Sequence, residues 1–305
     1  VTAQCCAFGQ SSDYSYLREV ITNLKSGNNE EIQNQFNKLK SESKIPLIVE
    51  DSVYFFYQGE AKTVEWMGDF NGWGYQKDFN NKGNKIPDTN IWYLTASFPK
   101  NARLDYKILI DGSNWILDPE NNHQQWSGVG GGSPNSELRM PQWHEDLSTI
   151  ERPNVNKGTV AKDLLVSSTS LGYQVTYSVY LPYQVEKLGK LPTVYVTDGY
   201  EYLHPQLGDM STILDNLISD KKIKPIIAVF IDNREPVNRA NNRRMNELAM
   251  NSKYLDFFVN ELIPKIESTY PAISNAQNRA IMGASMGGLT ATYFAFSKPD
   301  VFGLA

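Results

Sequence analysis

The sequence predicts two successive parts: a small all-β, immunoglobulin-like sandwich, then an α/β part whose mostly parallel sheet carries helices on both faces. Three observations predict it. All six tryptophans fall before residue 144, so the two parts differ in composition. Between 47 and 140, short strand-like runs are separated by turn clusters such as Asn71-Gly72 and Asp111-Gly112, the pattern of a sandwich. After 158, apolar runs suited to strands buried on both faces alternate with helical stretches, which argues for parallel strands with crossover helices.

Residues 1–12 begin small and apolar, turn polar, and contain both cysteines, Cys5 and Cys6. They read as the tail of a secretory signal peptide, so a periplasmic or secreted protein is expected; the alternative is the frayed terminus of a cytoplasmic one. Gln4 is a poor residue before a lipidated cysteine. Two adjacent cysteines give neither a disulfide framework nor a cysteine metal site. Residues 13–45 read as a helical segment, with one apolar stripe at Leu17, Val20, Ile21 and Leu24 and another at Ile32, Phe36 and Leu39. The sandwich is expected over 46–145, with strands at 47–49, 53–57, 63–67, 92–98 and 106–110. A linker over 146–157 follows the glycine run Gly128–Gly132 and His144-Glu145-Asp146.

The α/β part is expected over 158–305. Strands at 159–167 and 174–181 look like an antiparallel start, followed by strands at 193–197, 226–231 and 279–284 and helices at 209–220 and 253–269. No internal repeat is present. With 29 basic against 34 acidic residues and no basic block, nucleic acid is not expected as a partner. No apolar run approaches the roughly 20 residues of a membrane-spanning helix.

The strongest chemical signal is Gly283-Ala-Ser285-Met-Gly287-Gly288, a G-x-S-x-G at the end of an apolar strand. An amphipathic helix carrying Leu289, Tyr293 and Phe294 runs out of it to Lys298-Pro299. That context makes Ser285 a nucleophile on a strand–turn–helix elbow and the fold an α/β-hydrolase. A strained backbone lifts the serine Oγ above the sheet, and Gly283 and Gly287 flank it because a Cβ there would meet neighbouring backbone. The helix start aims N–H groups at a developing oxyanion. Met286 is the expected donor, and a second should come from Gly199 or Tyr200 after the strand ending in Thr197-Asp198. An ordinary turn explains Asp198-Gly199 equally well.

Four blocks together resemble the enterochelin-esterase-like proteins of the esterase-D superfamily. Ile32–Lys40 with Ile45-Pro-Leu-Ile is similar to the opening helix and first strand of such proteins. Trp66-Met-Gly-Asp-Phe-Asn-Gly-Trp73, with Tyr106-Lys107, Asp111-Gly112, Trp115 and Asp118-Pro119, resembles a glycogen-binding-like (family-48) sandwich. Arg243-Arg244-Met-Asn-Glu247, leading into Phe257–Pro264, looks like the family's Arg-x-x-Glu segment, and Gly283–Gly288 with Pro299–Gly303 looks like its elbow and following helix. The resemblance covers about residues 15–305.

It implies a serine ester hydrolase working through an acyl-enzyme, with no metal or organic cofactor. The substrate class it implies is a siderophore ester, or a feruloyl, acetyl or other acyl ester on polysaccharide. Arg244 and Glu247 either grip a polar substrate or form a structural ion pair. Trp73, Lys107, Trp115 and Asn135 match sugar-contacting positions, although both tryptophans can equally be core residues.

One departure stands out. In α/β-hydrolases the acid and histidine follow the serine. The histidines here are His123, His144 and His204, all before Ser285; His204 is a candidate at the mouth of the site, where a base would break the usual order. The expectation is therefore of a sequence that continues past Ala305 to supply both partners. The competing readings are an inactive glycan-binding or scaffold protein that retains the elbow, and an acyltransferase on the same elbow. Oligomeric state is not legible.

Overall fold

Helix α1, Asn29–Ser41, starts where Asn28 accepts a hydrogen bond from the Glu31 N–H at 3.0 Å while the Glu31 carboxylate accepts from the Asn28 N–H, a reciprocal capping box. In this computed structural model, which describes residues 22–23, 28–126 and 134–305, the chain divides into two compact units, Val1–His144 and Glu145–Ala305. The opening residues 1–12 with their cysteines, the stripe Leu17, Val20, Ile21 and Leu24, and the run Gly128–Gly132 lie outside the described residues.

The first unit is two antiparallel sheets face to face. One orders β1 (Leu47–Val49), β2 (Ser52–Gln58), β5 (Ile91–Ser97) and β4 (Asn84–Lys85). The other orders β3 (Val64–Gly68), β6 (Arg103–Ile110), β9 (Pro134–Arg139) and β8 (Gln124–Trp126), with β7 (Asn114–Ile116) also on β6. Phe55 is fully buried between the sheets and meets the rings of Trp66, Phe98 and Tyr106. Its neighbour Phe56 points the other way, because successive strand side chains alternate. There it packs with Ile32, Phe36 and Leu39 of α1, so the helix covers the outer face of the first sheet.

The sequence pattern misses β4, β7, β8 and β9. β9 is polar in sequence yet buried: Glu137 is 1% exposed and bonded by Arg103 and Arg139. Its interior is satisfied by ion pairs, which hydrophobic periodicity cannot see.

The second unit has one five-stranded sheet in the order β10 (Thr159–Ser167), β11 (Gln174–Leu181), β13 (Ile227–Asp232), β12 (Thr193–Val196), β14 (Arg279–Met282). It is mixed rather than mostly parallel: β12 pairs in parallel with β13 and β14, whereas β10–β11 and β11–β13 are antiparallel. The link between β10 and β11 is too short for the crossover that a parallel pair requires. Helices do lie on both faces. Ile227, Val229 and Ile231 face Tyr254, Phe257, Phe258 and Phe294, carried by α5 (Ser252–Phe257), a π-turn (Phe258–Leu262) and α7 (Met286–Ser297). α6 (Ile263–Thr269) continues that layer through Ile266. Ala228 and Phe230 face the other layer, with Leu214 of α3 (Met210–Ser219) and Tyr202 of α2 (Gly199–Leu203). One short helix, α4 (Arg244–Glu247), stands in the segment after β13.

Asp118 in the first unit is 2% exposed, and burial pushes its carboxyl up to about 6 despite hydrogen bonds from the Tyr106 hydroxyl and the Glu120 N–H. The folded state thus holds this proton more tightly than the unfolded chain, whose carboxyl titrates near 3.9. Stability from this group is full below pH about 4 and is lost as pH rises through about 6, an effect of about 3 kcal/mol. Urea melts of Asp118→Asn, which keeps an acceptor for Tyr106, should lack that decline, while the unsubstituted protein shows it.

Candidate active site

β12 and β14 run side by side with Val196 in register with Met282, so the segments leaving both strands emerge together. Ser285 stands there at φ 54°, ψ −119°, a conformation that costs an L-residue energy and that surrounding structure must hold. The strain places Ser285, an exposed residue, at the N-cap of α7. The Gly287 N–H donates to the Ala284 carbonyl at 2.8 Å, whereas the Met286 N–H opens the first turn of α7, where backbone N–H groups have no acceptor within the helix.

The flanking glycines are required for space rather than for dihedral freedom, since neither has a positive φ. A Cβ on Gly283 would stand 2.3 Å from the Thr197 Oγ1 and 2.4 Å from the Gly287 carbonyl carbon. On Gly287 the obstacle is not backbone but the same Thr197 hydroxyl, at 2.4 Å. Thr197 is fully buried and its N–H donates to the Met282 carbonyl at 3.0 Å, so it cannot retreat. α7 presents Gly287, Thr290, Ala291 and Phe294 to the core, leaving Leu289, read from sequence as part of the apolar face, 43% exposed. The smallest residues lie where the helix passes closest to the sheet; apolar size alone picks the wrong face.

The segment after Thr197 is tied down by charge. Arg244 grips Asp198 through both carboxylate oxygens, Nε to Oδ1 at 2.7 Å and Nη2 to Oδ2 at 3.1 Å. The Asp198 N–H donates to the Asn233 Oδ1 at 3.3 Å, and the Asn233 amide donates to Glu247 at 2.5 Å. Tyr173 donates to the other Glu247 oxygen at 2.7 Å. Glu247 is 1% exposed, and burial raises its pKa against these hydrogen bonds. Arg244 and Glu247, four residues long as a helix, thus face different partners and do not pair with each other. The Thr290 hydroxyl of α7 donates to the Leu248 carbonyl at 2.8 Å, so the α4 region braces the elbow helix as well as the Asp198 loop. Asn233 and Tyr173 were not singled out from sequence, because a buried amide and phenol carry no local motif.

Gly199 is buried against β13: a Cβ would lie 2.5 Å from the Ile231 nitrogen. Close packing explains this glycine, and its N–H and that of Tyr200 open α2. His204 ends that helix, edge-on to Tyr200 at 5.4 Å, with its Nδ1 accepting from the Gln206 N–H at 3.2 Å. Gly199, Tyr200 and His204 line a cleft of about 300 Å³; Ser285 does not line it.

In the first unit, Trp73 and Trp115 stand 6.4 Å apart and tilted, outside the sandwich core, with Trp115 46% exposed. The Trp73 indole N–H donates to Asp69, which also accepts from the Asp105 backbone. Asn135 donates to Asp105 at 3.2 Å, and Lys107 shares the outward face of β6 with Asp105 by strand alternation.

Known proteins place this geometry. Residues 168–305 match the family model described as "Putative esterase". The chain is 27% identical over 224 residues to an endo-1,4-beta-xylanase/feruloyl esterase of Xylanibacter ruminicola, a match covering 70% of this chain and 29% of that protein. It therefore spans less than a third of that relative. The enterobactin esterase FES of Shigella flexneri shares the fold with a TM-score of 0.65 at 20% identity, covering 83% of this chain and 69% of that one. The ferric enterobactin esterase of Salmonella typhimurium does so at 0.67 and 18%, covering 83% and 70%. Most of the second unit thus matches an esterase family model, and the fold of the chain is the one seen in the enterobactin esterases. Among the described residues no helix is long and apolar enough to cross a membrane.

The Thr197 wedge gives a specific expectation. Gly287→Ala should destabilise the second unit by about 1–3 kcal/mol through overpacking, and Thr197→Ala should recover most of that loss in the double variant. Gly283→Ala should not be rescued, because its Cβ also meets the Gly287 backbone. Denaturant melts of the single and double variants check this, and equal rescue of both glycine variants would refute it.

Proposed function

We propose that the protein is a serine carboxylic-ester hydrolase acting through an acyl-enzyme on Ser285. One observation carries the reading: an exposed serine in a strained conformation between a parallel strand and a helix N-terminus, with glycines on either side. In it, the Ser285 Oγ attacks the ester carbonyl while a histidine takes its proton. The tetrahedral oxyanion is held by the Met286 N–H and by that of Gly199 or Tyr200. Collapse expels the alcohol, and water then releases the acid.

Arg244 and Glu247 serve this reading as braces. Arg244 has both carboxylate oxygens of Asp198 in its grip, and Glu247 is sealed beneath the loop that holds the second donor. His204 is the substrate contact, through the cleft beside Tyr200. The substrate is a siderophore ester or an acyl, feruloyl or acetyl ester on polysaccharide, in line with the two activities named for the relatives. The sandwich adds a second reading, glycan binding through Trp73, Lys107, Trp115 and Asn135. The exposure of Trp115 beside Trp73 favours it, since flat rings clear of a core suit sugar faces.

In full-length protein, p-nitrophenyl acetate should be hydrolysed, and Ser285→Ala should lower turnover by roughly 10³-fold or more. Unchanged turnover rejects Ser285 as nucleophile. Release of ferulate from xylan fragments, set against loss of ferric-enterobactin colour, separates the two substrate classes; acyl transfer to an added alcohol in preference to water would make the enzyme a transferase.

A further inference from the structure

We infer that the cleft between α2 and strands β10, β11 and β13 is a carboxylate-binding site. Its lining holds three cations, Lys162, Arg234 and Arg239, and two carboxylates, Asp163 and Asp232. The pairing among them is explicit. Arg234 grips Asp232 with Nε to Oδ1 at 2.9 Å and Nη2 to Oδ2 at 2.7 Å. Arg239 donates to the same Oδ2 at 2.8 Å and to Asp163 at 2.9 Å. Two carboxylates thus answer two guanidinium groups. Lys162 makes no ion pair among the described residues and carries the one uncompensated charge of the cleft.

The site is held in shape before any ligand arrives. Arg234 lies 3.4 Å over the Tyr200 ring, which fixes its plane. Asp163 sits at positive φ where the β10–β11 register shifts, and this irregularity brings Lys162 and Asp163 together to the rim. Phe230 and Leu203 supply apolar wall, which lessens screening of the charges beside it. Glu201, the nearest further acid on α2, does not line the cleft, and burial raises its pKa. A neutral polyol would meet paired groups and gain little, whereas a carboxylate matches the single excess charge and the planar donors around it. Gly199 and Tyr200 are shared with the loop that the esterase reading assigns to the oxyanion. On that reading, and only there, the carboxylate belongs to a part of the substrate away from the scissile ester.

Calorimetric titration of the intact protein with glucuronate and with glucose tests this, since the two share a ring and differ in the carboxylate. Glucuronate should bind at least about 10-fold more tightly, and raising salt from about 50 to 500 mM should erode only that preference. Lys162→Gln should abolish the preference, Lys162→Arg should restore it, and Lys187→Gln, a distant exposed lysine, should leave it intact. Equal binding of the two sugars, binding of neither, or a preference that survives in Lys162→Gln overturns the proposal. Because the titration reads no hydrolysis, an inactive protein that still prefers glucuronate refutes the esterase reading alone, and an active one without the preference refutes the site alone.

Discussion

The second unit is organised around the space beside the Thr197 hydroxyl. That hydroxyl stands where a Cβ on either Gly283 or Gly287 would lie, so β12 and the elbow approach as closely as backbone and one small side chain allow. The closeness puts Ser285 at the turn with nowhere to relax, and it begins α7 without a wider loop. Tertiary packing holds the strain: Thr290 is bonded to the Leu248 carbonyl, and Phe294 is fully buried among Tyr254, Phe258 and Phe302. A strained residue persists only when its surroundings over-determine it, and here both ends of the turn are fixed.

The same strand carries the electrostatics, because Asp198 follows Thr197 directly. The Arg244 fork on Asp198, the Asn233 amide beneath it and the sealed Glu247 form one continuous set of hydrogen bonds from the segment after β12 to α4. Burying Glu247 raises its pKa, and the bonds from Tyr173 and Asn233 offset part of that cost. A buried polar group without such partners would cost several kcal/mol. Glu137 in the sandwich meets the same requirement, held between Arg103 and Arg139.

The contrast between the units is one of purpose in packing. In the first, aromatic rings from two sheets fill the interior while Trp73 and Trp115 stay outside it. In the second, aliphatic strands are covered on both faces, and charge gathers at the strand ends and the loops that leave them. Ligands in α/β sheets bind at the carboxyl ends of parallel strands, where no side of the sheet closes the space.

By itself the sequence determined the elements whose physics is local. Alternation marked the apolar strands, the 3.6-residue stripe of Ile32, Phe36 and Leu39 marked α1, and Gly283-Ala-Ser285-Met-Gly287 marked the elbow, since only glycine suits so tight an approach. Only tertiary structure decided the rest. β8 and β9 are polar strands, so no apolar alternation announces them, and β9 reaches back past β7 and β8 to pair with β6. Arg244 and Glu247 are three residues apart and read as a unit, yet Asp198 claims one and Tyr173 the other. Leu289 looks like core and faces solvent, because the first turns of that helix turn Gly287, Thr290 and Ala291 inward instead. Local pattern records which residues can be buried; which partner each buried charge finds, and how near two backbones come, depends on strands brought together from distant parts of the chain.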